Sequence, residues 1–190
     1  AYVNGEKAYV SAQDGDRTTL TVGYSVPVAS GVRGQAVSFL DGSDVTVSLF
    51  ADGSAQPKYT VTVPAGKKSG GKYTAVYDIP SVAAGTYTVQ VSKKNHVTRE
   101  YSVTVSGGVK TLNAEIWLSG DVNADGIIDM TDAMQINRKF NGKTSVFDKG
   151  DSETKAYRLK VANIYSDNSI DTTDSGQLQR HYNGKSSVLS

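Results

Sequence analysis

Up to about residue 116, apolar side chains recur at every second position. Leu20, Val22, Tyr24 and Val26 alternate with polar or small residues. So do Val45, Val47 and Leu49; Tyr59, Val61 and Val63; Tyr87, Val89 and Val91; and Tyr101, Val103 and Val105. Each run has one apolar face and one Thr/Ser/Gln face, the pattern of a sheet covered on one side. Turn signals separate the runs: Asp41-Gly42, Asp52-Gly53, Gly66, Gly70-Gly71, Lys94-Asn95 and Gly107-Gly108. Several short strands at this spacing predict an antiparallel sandwich over residues 1–116. The assignment of residues 1–38 stays open, with Gly31 to Gly34 read either as a turn or as the boundary of an extra strand pair.

After residue 118 the alternation stops, Asp and Asn cluster, and helical spacing begins. Residues 130–146 align with residues 172–188 at a period of 42, with nine of 17 positions identical. Asp125, Ile128 and Asp129 recur as Asp167, Ile170 and Asp171. A duplication this short implies two copies of one small unit packed on each other. In the first copy Ala133, Ile136 and Phe140 share one helical face, and Asn141-Gly142 closes the helix.

The first copy opens with oxygen-bearing side chains at five places of a twelve-residue loop: Asp121, Asn123, Asp125, Asp129 and Asp132. They occupy positions 1, 3, 5, 9 and 12. Gly126 stands at position 6, where a calcium loop turns sharply, and Ile127 at position 7 needs only its backbone carbonyl. Ile128 at position 8 is expected to point inward and to meet Ile170 of the other loop. Position 12 is Asp, one methylene shorter than the usual Glu. The competing interpretation is an Asx-rich turn without metal; the simultaneous filling of all these positions favours calcium. The approach to this loop, residues 111–120, is strand-like and ends in Gly120, so the unit differs from a helix-loop-helix hand.

The second loop departs from the pattern. Asn163 replaces Asp at position 1, Tyr165 stands at position 3 and Asn168 at position 6, while Asp167, Ser169, Asp171 and Asp174 follow. One negative charge is lost, so the second site is expected to bind more weakly or to stay empty.

These motifs carry a family resemblance. Residues 119–190 resemble a dockerin, the duplicated calcium-loop-and-helix module of cellulosomes and related extracellular assemblies. The resemblance rests on the run from Gly120 to Asp129, both Thr-Asp helix starts, both Gln-x-x-Arg segments and both Asn-Gly-Lys ends. It implies an all-α module over 117–190, two calcium ions, and a linking helix over residues 152–162 with Ser152 as N-cap and Ala156, Leu159 and Ala162 as apolar contacts. It also implies a cohesin partner on a scaffoldin protein, and contacts at loop positions 10 and 11 and on the helix after each loop. Carried over, these are Met130, Thr131, Asn137 and Arg138, then Thr172, Thr173, Gln179 and Arg180. Phe140 and Tyr182 are assigned to the core. Arg138 and Arg180 are read as contact residues because they recur at equivalent positions, a solvated helix face being the alternative. Met130 against Thr172 makes the two surfaces unequal and predicts one preferred docking orientation. The sandwich, through residues 85–105, is similar to the Ig-like, carboxypeptidase-regulatory-like modules that precede dockerins, called X modules in cellulosome proteins. Such a module commonly stiffens its dockerin.

Composition narrows the function classes. Lys and Arg number 20 against 19 Asp and Glu, a net charge of +1, which argues against a nucleic-acid or anionic-membrane binder. Mean hydropathy is −0.35 and no apolar run approaches a membrane span. Cysteine is absent, removing disulfides and zinc thiolates, and histidine is limited to His96 and His181. Residues 93–96 read as a solvated hairpin tip. No Gly-x-Ser-x-Gly elbow, HExxH helix or phosphate loop is present, so no enzyme activity is expected of this chain. Without an initiator Met or leader it reads as a mature or an excised piece, and the resemblance implies a secreted bacterial protein, monomeric before it meets its partner and held at the cell surface through it. A carbohydrate-binding sandwich with an appended calcium module remains the second reading. Against it, Tyr59, Tyr87 and Tyr101 fall in the apolar phase of the strands.

Overall fold

The computed structural model describes residues 2–3, 6–7, 30–167 and 169–189. The strand expected at 20–26 and Asn168 lie outside the described residues. Short strands β1 (Tyr2–Val3) and β2 (Glu6–Lys7) pair with each other.

The β region is a two-sheet sandwich. One sheet contains β3 (Gly31–Phe39), β6 (Lys67–Ser69), β7 (Lys72–Pro80), β10 (Val109–Thr111) and β11 (Ala114–Glu115). Its order is β10-β3-β7-β6, with β11 also on β3. The other orders β5 (Tyr59–Val63), β4 (Val45–Ala51), β8 (Gly85–Lys93) and β9 (Arg99–Val105) as β5-β4-β8-β9. Alternation places Val45, Val47 and Leu49 wholly inside. The opposite face of β4 pairs hydroxyls with β5, Thr46 to Thr62 and Ser48 to Thr60, each at 3.0 Å. Val32 and Ala36 of β3 and Ala75, Tyr77 and Ile79 of β7 complete the core from the other sheet.

Two features depart from the expected antiparallel sandwich. Residues 31–34 are neither a turn nor a boundary but the first half of β3. Moreover, β10 and β11 run parallel to β3, because the chain leaving the sandwich doubles back along that strand. Gly34 permits this: a Cβ there would sit 1.8 Å from the Leu112 carbonyl oxygen.

The helical unit consists of α1 (Met130–Phe140), α2 (Ser152–Ala162) and α3 (Thr172–Tyr182), with a 3-10 turn at Val146–Asp148. α1 and α3 pack on each other. Ala133, Ile136, Val161, Ala162 and Leu178 form its core, against which Ile128 and Ile170 of the two loops both pack. None of the described helices is long and apolar enough to cross a membrane.

Three expectations for the helices need correction. The cap of α2 is Asp151, whose carboxylate accepts from Thr154 N at 2.7 Å, with Ser152 already helical. The buried face of α2 is Tyr157, Arg158, Val161 and Ala162, while Ala156 and Leu159 are exposed. Finally, Phe140 and Tyr182 are 53% and 57% exposed. Each is the last residue of its helix, and the helix outruns the core by that turn.

The two units share a joint. Val97 N donates to Trp117 O and Ser119 N to Asn95 O, so the segment leaving the sandwich is clipped to the β8–β9 turn. Of residues 93–96, expected as a solvated tip, only Lys94 and Asn95 are exposed, while His96 is half-buried. Lys93 is 7% exposed, and its Nζ donates to Ser38 Oγ and to the carbonyls of Phe39 and Asp41. Burial lowers its pKa.

Candidate metal loops and partner face

The first loop wraps its own backbone around two buried carboxylates. Asp121 accepts from Asp125 N at 3.1 Å on Oδ1 and from Gly126 N at 2.8 Å on Oδ2. Asp132 accepts from Asn123 N at 3.2 Å and from Asp129 N at 3.1 Å. Successive Asx turns complete the curl: Asn123 Oδ1 accepts from Asp125 N, and Asp125 Oδ1 from Ile127 N, each at 2.9 Å. Left-handed backbone at Ala124 (φ 63°) and Gly126 (φ 85°) makes the curl tight. Asp129 caps α1 through Thr131 N at 2.6 Å, so the loop's last residues also start the helix. The Ile127 side chain is 61% exposed and bears no oxygen, which leaves its backbone carbonyl as the donor available at position 7.

Asp121 and Asp132 have no exposed surface. Burial, with a smaller contribution from neighbouring carboxylates, pushes Asp121 up to about 6 and Asp132 up to about 7. Neither belongs to the ion pairs found among the described residues, Lys72 with Glu115 and Lys160 with Glu100. Buried carboxylates without a cation are costly. A hard divalent cation relieves that cost, and the donor set here is entirely oxygen. As they stand, no three Asp, Glu or His side chains among the described residues form a ready metal cage. The amide oxygen of Asn123 and the carbonyl of Ile127 are needed to complete the set. The residues of the first loop thus fit calcium.

The second loop repeats the frame with fewer charges inside. Asp174 is buried and accepts from Ile164 N at 2.8 Å, Tyr165 N at 3.0 Å and Asp171 N at 3.1 Å. Asp171 caps α3 through Thr173 N at 2.7 Å, a bond that lowers its pKa. Asp167 accepts from Ser169 N and Oγ. The Tyr165 side chain is 52% exposed. Asn163 Oδ1, at position 1, is buried without a hydrogen-bond partner among the described residues. An orphaned oxygen there fits a cation as well. The frame therefore suits a second ion, with one buried carboxylate where the first loop has two.

The partner residues named from the sequence divide. Met130, Thr131, Arg138, Thr172, Thr173 and Arg180 are exposed. Asn137 and Gln179 are half-buried, and Asn137 Oδ1 accepts from Ser175 Oγ at 2.9 Å across the α1–α3 contact. Both arginines hold their own turns: Arg138 Nε donates to Thr144 O at 2.6 Å and Arg180 Nε to Ser186 O at 2.7 Å. Their recurrence in the repeat thus has a structural cause. Met134 was missed. It is 50% exposed, one turn beyond Met130 at 45%, and a shallow cleft of 240 Å³ lies among these two, Arg138 and Lys143. The signal was present, since the repeat aligns Met134 with Gly176.

Residues 119–183 match the family model of the dockerin type I domain. This segment is a dockerin. Its loops and three helices are those described above, and the remainder of the chain lies outside the match. No curated protein matches the chain. Among solved structures the chain is similar to a type II cohesin–X-dockerin complex from Acetivibrio cellulolyticus carrying an N-terminal interface mutation. Identity is 22%, coverage 80% of this chain and 94% of that one, and the TM-score 0.32. A C-terminal interface mutant of the same complex gives 20%, 77%, 94% and 0.27. At such scores the overlays carry no argument. The dockerin assignment rests on the family match and on the duplicated loop-helix geometry.

Proposed function

We propose that this chain is a non-catalytic assembly module. Its dockerin takes up calcium in two unequal loops and docks a cohesin, a reading supported by the dockerin type I match over residues 119–183. The sandwich acts as an X module that holds the dockerin, and the assembly works outside the cell, at the bacterial surface, through its partner. The observation that carries the docking face is the outer side of α1. Met130 and Met134 stand half-exposed on a helix whose other side, Ala133 and Ile136, is sealed in the core. Thioethers in that setting fill irregular partner pockets, and Arg138, Lys139 and Lys143 rim them with positive charge. At the equivalent places α3 has Thr172 and Gly176. The two faces therefore suit different pockets, and α1 leads a single orientation.

The test is binding to a panel of cohesin modules in calcium. Met130→Asp with Met134→Asp should abolish capture, and Thr172→Asp with Thr173→Asp should leave it nearly intact. Equal losses from the two pairs, or two pairs silent alone and lethal together, contradict a single mode. No capture by any cohesin contradicts the function. A carbohydrate-binding sandwich has less support: the exposed large apolar residues of the described sandwich are Leu40, Val76 and Val109, none of them aromatic.

A further inference from the structure

We propose that Phe39, a residue of the sandwich, is a positioning residue for the first metal loop, and that the sandwich through it sets that loop's calcium affinity. This rests on the interpretation of Asp121 to Asp132 as a calcium loop. Phe39 ends β3, yet it belongs to the dockerin's core with Trp117, Val122 and Ile136 rather than to the sandwich's own. It is 1% exposed. Its ring lies directly against Gly126: a Cβ built there would stand 2.4 Å from Phe39 Cδ1 and 3.0 Å from Cε1.

That contact bears on ligand geometry. Gly126 is the left-handed residue whose N–H holds Asp121 Oδ2 at 2.8 Å. The ring therefore backs the turn that aims Asp121 into the loop. Phe39 is in turn fixed to the sandwich from both sides of its backbone. Its N–H donates to His96 Nε2 at 3.0 Å, and its carbonyl accepts from the buried Lys93 Nζ at 3.1 Å. The second loop is more open, with Tyr165, Ser166, Asp167 and Ser169 all exposed.

A loop of repelling carboxylates binds a cation more tightly when its turn is already held, because less ordering remains to be done on binding. Outer residues that orient ligands commonly control affinity in this way. By linkage, calcium in the first loop tightens the seat of Phe39, so metal binding and the sandwich–dockerin joint reinforce each other.

The experiment is a calcium titration of the full chain followed by the backbone amide signals of Gly126 and Ile170, which report the two loops separately. Phe39→Ala should weaken calcium binding at Gly126 about tenfold, the usual cost of losing an orienting residue, and leave Ile170 unmoved. Phe39→Leu, which keeps apolar fill, should recover most of the loss. Val161→Ala, a truncation elsewhere in the same core, should not separate the two loops. An unchanged midpoint at Gly126 in Phe39→Ala, or equal weakening at both loops, overturns the proposal while leaving the calcium sites standing. A wild-type chain whose loop signals ignore calcium overturns the metal reading as well.

Discussion

The hydroxyl of Tyr157, on α2 of the dockerin, donates to the carbonyl of Val97 in the sandwich at 2.6 Å. The same oxygen accepts from Trp117 N at 3.0 Å, and the two rings lie 5.1 Å apart. Arg99 of β9 covers the Tyr157 ring at 4.6 Å and donates to the Glu115 carbonyl at 3.1 Å. One phenol thus ties sandwich, connecting segment and helix together, and burial raises its pKa.

Tyr157→Phe keeps the packing and strands a buried amide and a carbonyl. It should cost about 1–3 kcal/mol. Urea unfolding checks this: the midpoint should fall with the slope unchanged. An unaltered midpoint would show that the hydrogen bonds contribute nothing net.

Arg158 is a second tie, within the dockerin. Its Nε donates to Val122 O at 2.8 Å, and one terminal nitrogen donates to the Val146 and Lys149 carbonyls at 2.6 and 2.9 Å. The guanidinium also stacks 5.1 Å from the Trp117 ring centroid. Arg158→Ala should destabilise the dockerin by about 3 kcal/mol or more, since charged donors are lost from several carbonyls at once. Arg158→Lys should rescue little, because an ammonium lacks the planar fork. Thermal melts with calcium present decide it; full rescue by Lys would contradict the geometry.

Calcium removal should loosen the dockerin selectively. With Asp121 and Asp132 buried together, chelation should lower helical circular dichroism and abolish cohesin capture, while the β signal persists. A helical signal unchanged after exhaustive chelation would refute this. In matched titrations Asp121→Ala should lose more affinity than Asn163→Ala, because the first loop begins with more negative charge.

His96 makes the joint sensitive to pH. Its Nδ1 lies 2.8 Å from Lys94 O and its Nε2 accepts from Phe39 N, so the ring is neutral with the proton on Nδ1. Burial is the main cause that holds its pKa below 6.5, and the charge of Lys93 adds to it, while the Lys94 carbonyl bond and Asp41 oppose the shift. The unfolded chain therefore binds the proton first as pH falls. The His96 contribution is complete above about pH 6.5 and declines below it. Wild type should be more stable than His96→Gln at pH 7.5, and the gap should narrow by pH 5.5. A gap that widens on acidification would reverse the sign.

Much of the frame of the candidate loops was legible because it is local. A metal loop of twelve residues writes its ligands, its glycine and its helix cap into consecutive positions, and duplication at a period of 42 exposes the frame twice. Strands with clean alternation were legible for the same reason, since pleating maps neighbours in sequence onto opposite faces. β3 was not, because Gly34 and Ser38 interrupt its apolar phase of Val32 and Ala36, Gly34 to admit the Leu112 carbonyl.

The sequence by itself determined the alternating strands, the two loops and the helices that follow them, since each is written in a pattern a few residues long. Only the tertiary structure decided which residues serve both units. In the sequence Lys93 and His96 read as a solvated turn, and nothing local marks Phe39 or Arg158. Phe39, Lys93 and Arg158 are buried and His96 half-buried by partners between 9 and 87 positions away, Phe39 meeting Gly126 and Arg158 meeting Lys149. Periodicity carries no information about such pairings. They are fixed when the sandwich and the dockerin close on each other and remove both surfaces from water.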